Sequence, residues 1–169
     1  GGPVPVNIYY STDSGRTVKI AYAFGRNPHF QEKGADPGSF LGNPDNPLIC
    51  RHVHAVMYHP AERAFYACTG DIDRGHGYEC HWLRGVYDAR ADTWDWRVLV
   101  SVNSNSRYKS GGINFLDGQL YWAADANGPK QINQKHDRGI FRCAPKDFAG
   151  PGKHTLLFTA EFEMANMII

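Results

Sequence analysis

Short apolar or alternating runs follow one another along most of the chain, and turn-forming residues separate them. The runs are rich in Val, Ile, Tyr, Phe, Trp and Leu, which favour strands, and no long segment has the apolar spacing of a helix. The pattern therefore predicts an all-β chain. The predicted strands cover residues 52–58, 64–70, 82–88 and 95–101, and then 110–116, 119–125, 138–143 and 154–160.

The two sets of four predicted strands repeat one another. Residues 65–71 (FYACTGD) are echoed by residues 120–125 (LYWAAD), and residues 84–87 (RGVY) by residues 138–141 (RGIF), 54–55 residues later. A four-stranded antiparallel unit that recurs every 40–60 residues or so is typical of a β-propeller blade. We predict about two and a half blades. They comprise the end of one blade at 1–25, complete blades at 51–101 and 108–160, and the start of the next strand at 161–169.

This number of blades is too small to close a propeller, which typically has about four to eight. An open unit of this kind exposes sheet edges and apolar blade faces. We therefore expect either further copies of the chain or the remaining blades of a larger chain as partners.

The connections between the predicted strands differ in length and polarity. In an antiparallel meander, alternate connections lie at the same edge of the sheet, so the longer and more polar ones are predicted to share one edge. Loops on a rigid scaffold often carry functional residues. The longer connections are residues 25–51, 71–81, 102–109 and 125–137.

Two histidines open the strand predicted at residues 52–58. Because successive side chains of a strand point to opposite faces, His52 and His54 share one face, and Val53 and Ala55 share the other. Paired imidazoles on an apolar strand either take part in a reaction or form hydrogen bonds with buried polar groups of neighbouring loops.

The segment Ser11–Val18 (STDSGRTV) resembles the Asp-box turn of sialidase-like (BNR-repeat) propellers. In such a turn Asp13 is expected to accept hydrogen bonds from turn amides, and Gly15 to adopt a positive φ. The residue at the end of the motif, Val18, is expected to pack between sheets. The resemblance implies the fold and says little about activity.

Residues 88–94 (DARADTW) form a degenerate copy of this turn without its glycine. The two turns belong to the shorter class of connections. Asp13 and Trp94 are therefore predicted to lie at the edge opposite His52.

A wider resemblance covers residues 6–160 and links the chain to bacterial propellers that break down polysaccharides, including ulvan-lyase-like enzymes. It rests on the segments 51–56 (RHVHAV), 69–71 (TGD), 106–108 (SRY), 120–122 (LYW) and 138–140 (RGI). It implies β-elimination at a uronic acid and a secreted or periplasmic location. The implied catalytic residues are His52, His54, Tyr108, Tyr121 and Arg138, and the implied substrate-binding residues are Arg51, Asp71, His81, Arg107 and Asp125.

The residue types suit elimination on chemical grounds as well. The substrate carboxylate must be neutralised, and Arg107 or Arg138 offers a guanidinium that pairs with it bidentately. A histidine can remove the α-proton near neutral pH, and Tyr108 or Tyr121 can act as acid or base if nearby cations lower its pKa.

Two other function classes remain open from the sequence. A retaining or inverting glycoside hydrolase needs two carboxyl groups about 5–10 Å apart, and several acidic residues of the long connections offer them. A hydrolase of the sialidase type instead has an arginine cluster for the substrate carboxylate and a tyrosine nucleophile, and Arg51, Arg107 and Arg138 could mimic that cluster. A non-catalytic unit that binds carbohydrate or assembles into a larger structure needs neither. The carboxyl candidates are Asp71, Asp73, Glu79 and Asp125.

Charge and composition narrow the range of partners. The net charge of +1 and the absence of a Lys/Arg run argue against nucleic acid, and no apolar run approaches the roughly 20 residues that span a bilayer. An acidic polysaccharide is the expected partner. No metal site is assigned, because no third ligand follows the two histidines at a spacing typical of a metal site. Calcium or another divalent cation, held by loop oxygen atoms, stays open as a cofactor.

The four cysteines lack the spacing of a structural zinc site. They permit two disulfides, and Cys68 with Cys80 is the expected pair if the protein is exported, because these residues flank one connection.

Overall fold

The computed structural model describes residues 5–28, 41–70, 77–104, 106–125 and 139–159. Within these ranges it contains ten strands and two short 3-10 helices, at Pro145–Asp147 and Pro151–Lys153. The strands are β1 (Asn7–Tyr10), β2 (Lys19–Ala23), β3 (Val53–His59), β4 (Ala64–Thr69), β5 (Cys80–Asp88), β6 (Thr93–Val102), β7 (Asn114–Leu116), β8 (Gln119–Ala123), β9 (Gly139–Cys143) and β10 (Thr155–Thr159).

The strands form one hairpin and two four-stranded antiparallel sheets. The hairpin is β1–β2, the first sheet has the order β3-β4-β5-β6, and the second has the order β10-β9-β8-β7. In both four-stranded sheets, neighbouring strands are antiparallel and follow one another in sequence. The prediction of an all-β chain with four-stranded antiparallel sheets is confirmed. The described ranges contain no helix long and apolar enough to cross a membrane.

The three units stack face to face, with the first sheet in the middle. Tyr66 and Trp82 point into a core shared with the second sheet, where they join Trp122. Their sequence neighbours Ala67 and Leu83 point the opposite way, into a core shared with the hairpin. The middle strands β4 and β5 are therefore apolar on both faces, because each face is covered by another sheet.

The turn after β1 has the geometry expected of an Asp box. Asp13 accepts hydrogen bonds from the Thr17 amide (2.8 Å) and the Thr17 hydroxyl (2.7 Å), and Gly15 has a φ of +84°. The expectation for Val18 is wrong, because its side chain is 64% exposed. Between the hairpin and the first sheet lies Trp94 instead, whose ring centroid is 5.4 Å from that of Tyr10.

The degenerate copy replaces the missing glycine with an aspartate. Asp88 accepts from the Arg90 amide at 2.8 Å, and Asp92 takes the positive φ, +54°, which aspartate tolerates better than most residues. The Asp92 carboxylate then accepts hydrogen bonds from Tyr10 (2.9 Å), Tyr87 (2.6 Å) and the ammonium of Lys19. The hairpin and the first sheet are thereby joined at this edge.

This joint makes the hairpin sensitive to acid. Hydrogen bonds from Lys19, Tyr87 and Tyr10 lower the pKa of Asp92 from 3.8 to about 2. A depressed folded-state pKa stabilises the protein above the unfolded value, and this stabilisation disappears as the pH falls through the folded value. We expect hairpin docking to weaken from about pH 4 down to pH 2, as measured by the fluorescence of the nearby tryptophans. Asp92→Asn should flatten this dependence and Asp95→Asn should not; equal profiles for the two variants would contradict the assignment.

All four cysteines are buried free thiols, so the expected Cys68–Cys80 disulfide is absent from the structure. The two residues lie on neighbouring strands, but the register partner of Cys68 is Trp82, two positions beyond Cys80. Their side chains are part of the apolar core between the two sheets.

The thiols should react only after unfolding. Burial raises the pKa of Cys68, and it raises the pKa of Cys143 to about 12, which keeps these groups in the unreactive thiol form. We expect four equal thiols in the unfolded, unreduced protein and almost none in the folded protein, by titration with a chromogenic disulfide reagent. Two thiols instead of four after unfolding would show a bridge.

Candidate functional site

The site is built from the histidine pair at the start of β3. The rings of His52 and His54 lie 4.8 Å apart at an angle of 35°. His52 is exposed and His54 half-buried. The Nδ1 of His54 lies 2.7 Å from the carbonyl oxygen of Ser110, which can only accept, so Nδ1 carries a proton, and in the neutral imidazole Nε2 has the lone pair.

A buried ion pair lies next to this histidine. The Lys109 ammonium is 3.3 Å from the Asp125 carboxylate, and the Asp125 amide donates to the Lys109 carbonyl at 2.6 Å. Lys109 and Asp125 are both buried. Gly70 separates the pair from the imidazole: a Cβ added to it would lie 2.8 Å from Cε1 of His54 and 3.1 Å from Cγ of Lys109. Any larger residue there would push these groups apart.

We call these five residues the histidine cluster: His52, His54, Gly70, Lys109 and Asp125. They come from the start of β3, the residue after β4, the connection between the two sheets and the end of β8. All of these positions lie at the edge that carries the long connections. Asp92 and the Asp-box turn lie at the opposite edge. Because β3, β4 and β5 are antiparallel, the turn after β5 lies at the end opposite to the start of β3, and Tyr10 of the hairpin bonds to Asp92 there.

His81 lies near the start of β5, at the same edge, where its amide donates to the Thr69 hydroxyl at 3.0 Å. Its Nε2 donates to the carbonyl of Ile49 at 2.8 Å, and its Nδ1 lies 3.0 Å from the Ser101 hydroxyl. The ring is buried in β5, where it ties the chain before β3 to β6. These contacts give His81 a structural position.

Arg107 and Tyr108 point into the junction between the sheets. The Tyr108 hydroxyl donates to the carbonyl of Phe148 at 3.1 Å, and the phenol is buried. The Arg107 guanidinium lies 4.9 Å from the ring centre of Phe141 and donates to the carbonyl of Pro151 at 3.3 Å. The loop after β9 therefore covers both side chains.

Two of the remaining predicted residues, Tyr121 and Arg51, are described by the structure. Tyr121 lies in the middle of β8 on the outward face of the second sheet, opposite Asn114 and Arg142 in register. Arg51 is half-buried directly before the histidine pair. Arg138 and Asp71 lie outside the described residues. Of the predicted set, the structure brings together His52, His54 and Asp125.

Sequence reasoning missed Lys109. It follows Arg107 and Tyr108 in the connection between the sheets, and nothing in its neighbourhood distinguishes a buried lysine from a solvated one. The signal that could have found it is the strand-end position of Asp125, because a buried carboxylate requires a cationic or hydrogen-bonding partner.

An aromatic cavity at the opposite edge was missed as well. It encloses about 310 Å³ between the hairpin and the first sheet. The indole nitrogen of Trp94 is buried and has no hydrogen-bond partner there. The aromatic residues that line this cavity are Tyr9, Tyr10, Phe65, Tyr87, Trp94 and Trp96.

In the described ranges, no group of three or more His, Cys, Asp or Glu side chains is arranged to hold a metal ion. The described part of the cluster provides two imidazoles, one carboxylate and one ammonium, and Lys109 supplies the cation that balances Asp125. The imidazoles of such a set can accept or donate a proton.

No family model, curated protein or solved structure matches the chain. The functional argument therefore rests on the geometry and chemistry of the cluster.

Proposed function

We propose that the chain is a carbohydrate-active β-propeller unit that cleaves a uronate-containing polysaccharide by β-elimination. The observation that carries this proposal is the fixed tautomer of His54, whose Nδ1 donates to the Ser110 carbonyl beside His52. An imidazole held in this way presents a basic nitrogen in a defined direction, which is what a general base requires.

In the proposed reaction, His54 Nε2 removes the proton next to the substrate carboxylate. The electrons of that C–H bond form a carbon–carbon double bond, and the glycosidic C–O bond breaks with its electron pair on oxygen. The exposed His52, in its protonated form, supplies the proton to the leaving oxygen. Arg138, which directly precedes β9, is proposed to pair with the carboxylate through its guanidinium fork.

The surroundings of the two described carboxyl candidates support elimination over hydrolysis by a pair of carboxyl groups, and Asp71 and Asp73 lie outside the described residues. A glycosidase of that kind needs two carboxyl groups that reach the substrate. Asp125 is buried against Lys109, and the buried Glu79 accepts from the Asn27 amide at 3.2 Å. Both groups are therefore engaged in holding the structure.

The experiment is an assay of the protein on several uronate polymers and on neutral polymers of similar length. Elimination yields an unsaturated uronate, whose conjugated double bond absorbs in the ultraviolet, whereas hydrolysis yields reducing ends without that absorbance. We expect the absorbance with uronate polymers only. Reducing ends alone would favour a hydrolase, and no product with any polymer would overturn the enzymatic proposal.

The aromatic cavity favours a second candidate, carbohydrate binding without turnover. Aromatic rings offer flat apolar surface, and the Trp94 indole N–H offers a donor to a sugar oxygen. Trp94→Phe keeps the ring and removes the donor. We expect it to weaken oligosaccharide binding, measured by calorimetry, by a factor of about 10, the loss of roughly one hydrogen bond. Unchanged affinity in Trp94→Phe would exclude the cavity.

A further inference from the structure

The wall of the aromatic cavity contains a hydrogen-bond donor that is held in a fixed direction. The Trp94 ring packs against Tyr10, Phe65 and Tyr87, with ring centroids 5.4, 5.3 and 5.1 Å away. It also stacks on Trp96 at 5.3 Å. Its indole nitrogen is buried and has no hydrogen-bond partner. Because a buried indole N–H normally has a partner, this donor indicates an acceptor that enters the cavity.

Three other donors of the cavity lining are already bonded within the protein. The Tyr10 and Tyr87 hydroxyls donate to the Asp92 carboxylate at 2.9 and 2.6 Å. The Trp96 indole N–H donates to the Ala21 carbonyl at 2.9 Å. The Trp94 indole differs from these groups in having its N–H available to a ligand.

The walls near this donor are apolar. Ile8 and Ala21 contribute to the lining from the hairpin, and Val56 and Phe65 contribute from the first sheet. A buried water molecule normally has about three polar partners, which apolar walls do not offer. Each hydroxyl of an unsubstituted sugar would likewise lose its hydrogen bonds to water without replacement. The cavity therefore suits a group with one acceptor oxygen and an apolar remainder.

A short ester group has this composition. Its carbonyl oxygen accepts a hydrogen bond, its methyl group is apolar, and, unlike an amide, it has no N–H that needs an acceptor of its own. Polysaccharides carry such groups as O-acetyl substituents. The cavity volume of about 310 Å³ is at the lower end of the range of ligand sites, which suits a substituent better than a long stretch of sugar chain.

We propose that the aromatic cavity binds an O-acetyl group of a polysaccharide, with the ester carbonyl accepting from the Trp94 indole N–H and the methyl group lying among the apolar side chains. The sugar ring that bears the group stays at the mouth of the cavity, where Ser11 and Thr12 are exposed. This inference rests on the second candidate function, carbohydrate binding at the cavity. It is independent of the elimination reaction, because the histidine cluster lies at the other edge.

The test measures the binding of O-acetylated xylo- and manno-oligosaccharides by calorimetry, each before and after mild alkaline removal of the acetyl groups. These sugars contain no uronate, so elimination cannot consume them. We expect the wild-type protein to bind an acetylated form about 40-fold more tightly than its deacetylated counterpart, about tenfold from the hydrogen bond and about fourfold from the buried methyl group. Trp94→Phe keeps the ring and removes the donor, so it should reduce this preference to about fourfold.

Trp96→Phe is the matched control. It makes the same change in the stacked neighbour of Trp94, but the N–H that it removes already donates to the Ala21 carbonyl. The preference for the acetylated form should therefore stay close to the wild-type value. Circular dichroism checks that each variant is folded.

The outcomes separate this proposal from the candidate function on which it rests. Equal affinity of the wild-type protein for acetylated and deacetylated forms would overturn the assignment of the cavity to an acetyl group and leave carbohydrate binding in place. Binding of neither form would overturn both. A preference that is unchanged in Trp94→Phe, or that falls equally in Trp96→Phe, would show that the Trp94 donor does not select the ester, and the proposal would be wrong.

Discussion

His54→Ala is expected to reduce the rate of elimination about 10²–10⁴-fold, the usual effect of removing a positioned general acid or base. The reason is local: the Ser110 carbonyl holds the proton on Nδ1, so alanine removes both the base and its orientation. His54→Gln retains the contact to the carbonyl through its amide and should be as slow as alanine. Initial rates on the best uronate polymer provide the measurement.

His59→Asn is the matched control. His59 lies at the other end of β3, where it is buried and stacks on Phe115 at 4.3 Å. This variant removes a histidine from the same strand at the opposite edge, so turnover by the folded protein should stay close to wild type. A rate within a factor of about three of wild type for His54→Ala would contradict the role of this residue.

The strands were predictable because their patterns are local. The run at 64–70 became β4 at Ala64–Thr69, and the run at 119–125 became β8 at Gln119–Ala123. The glycines that recur in the two repeated segments, RGVY and RGIF, also have a structural reason. Gly85 lies under the Trp96 ring, and Gly139 lies against the Phe158 carbonyl, where a Cβ would be only 2.0 Å away.

The longest deviation occurs at β7. The sequence predicts a strand over 110–116, but the observed strand is only Asn114–Leu116. Ser110 pairs with Ala124 in an isolated antiparallel bridge, and its hydroxyl bonds to the Gly112 carbonyl and amide, which interrupts the pairing until Asn114. Side-chain bonds of serine to its own backbone compete with sheet pairing in this way.

The site was less predictable than the fold because it depends on contacts between distant segments. The sequence predicted Tyr108 at the same edge as the histidines. Its side chain instead turns into the core, where the carbonyl of Phe148, in the loop after β9, accepts its hydrogen bond. Conversely, Lys109 joins His54 only because the connection between sheets folds over the end of β4. Strand periodicity contains no information about such loop contacts.

Lys109→Met is expected to lower the free energy of unfolding by about 3–5 kcal/mol, the usual cost of leaving one member of a buried ion pair without its partner. The Lys109 and Asp125 side chains are 3% and 9% exposed, so water cannot replace the lost ammonium. Lys153→Met removes a lysine whose ion pair, with Asp147, is at the surface, and it should cost no more than about 0.5 kcal/mol. Urea denaturation measures both values.

The double variant Lys109→Met/Asp125→Leu separates the ion pair from simple loss of packing. Replacing both charges with apolar groups removes the unpaired carboxylate, so most of the stability lost in Lys109→Met should return, which gives a large coupling energy in the double-mutant cycle. Costs that simply add would show that Lys109 and Asp125 act separately. The recovered protein also tests the histidine cluster, because Lys109 approaches Gly70, which in turn lies against His54. If the pair holds that arrangement, the stable double variant should still be impaired in elimination. Full activity would show that the ion pair contributes to stability and not to elimination.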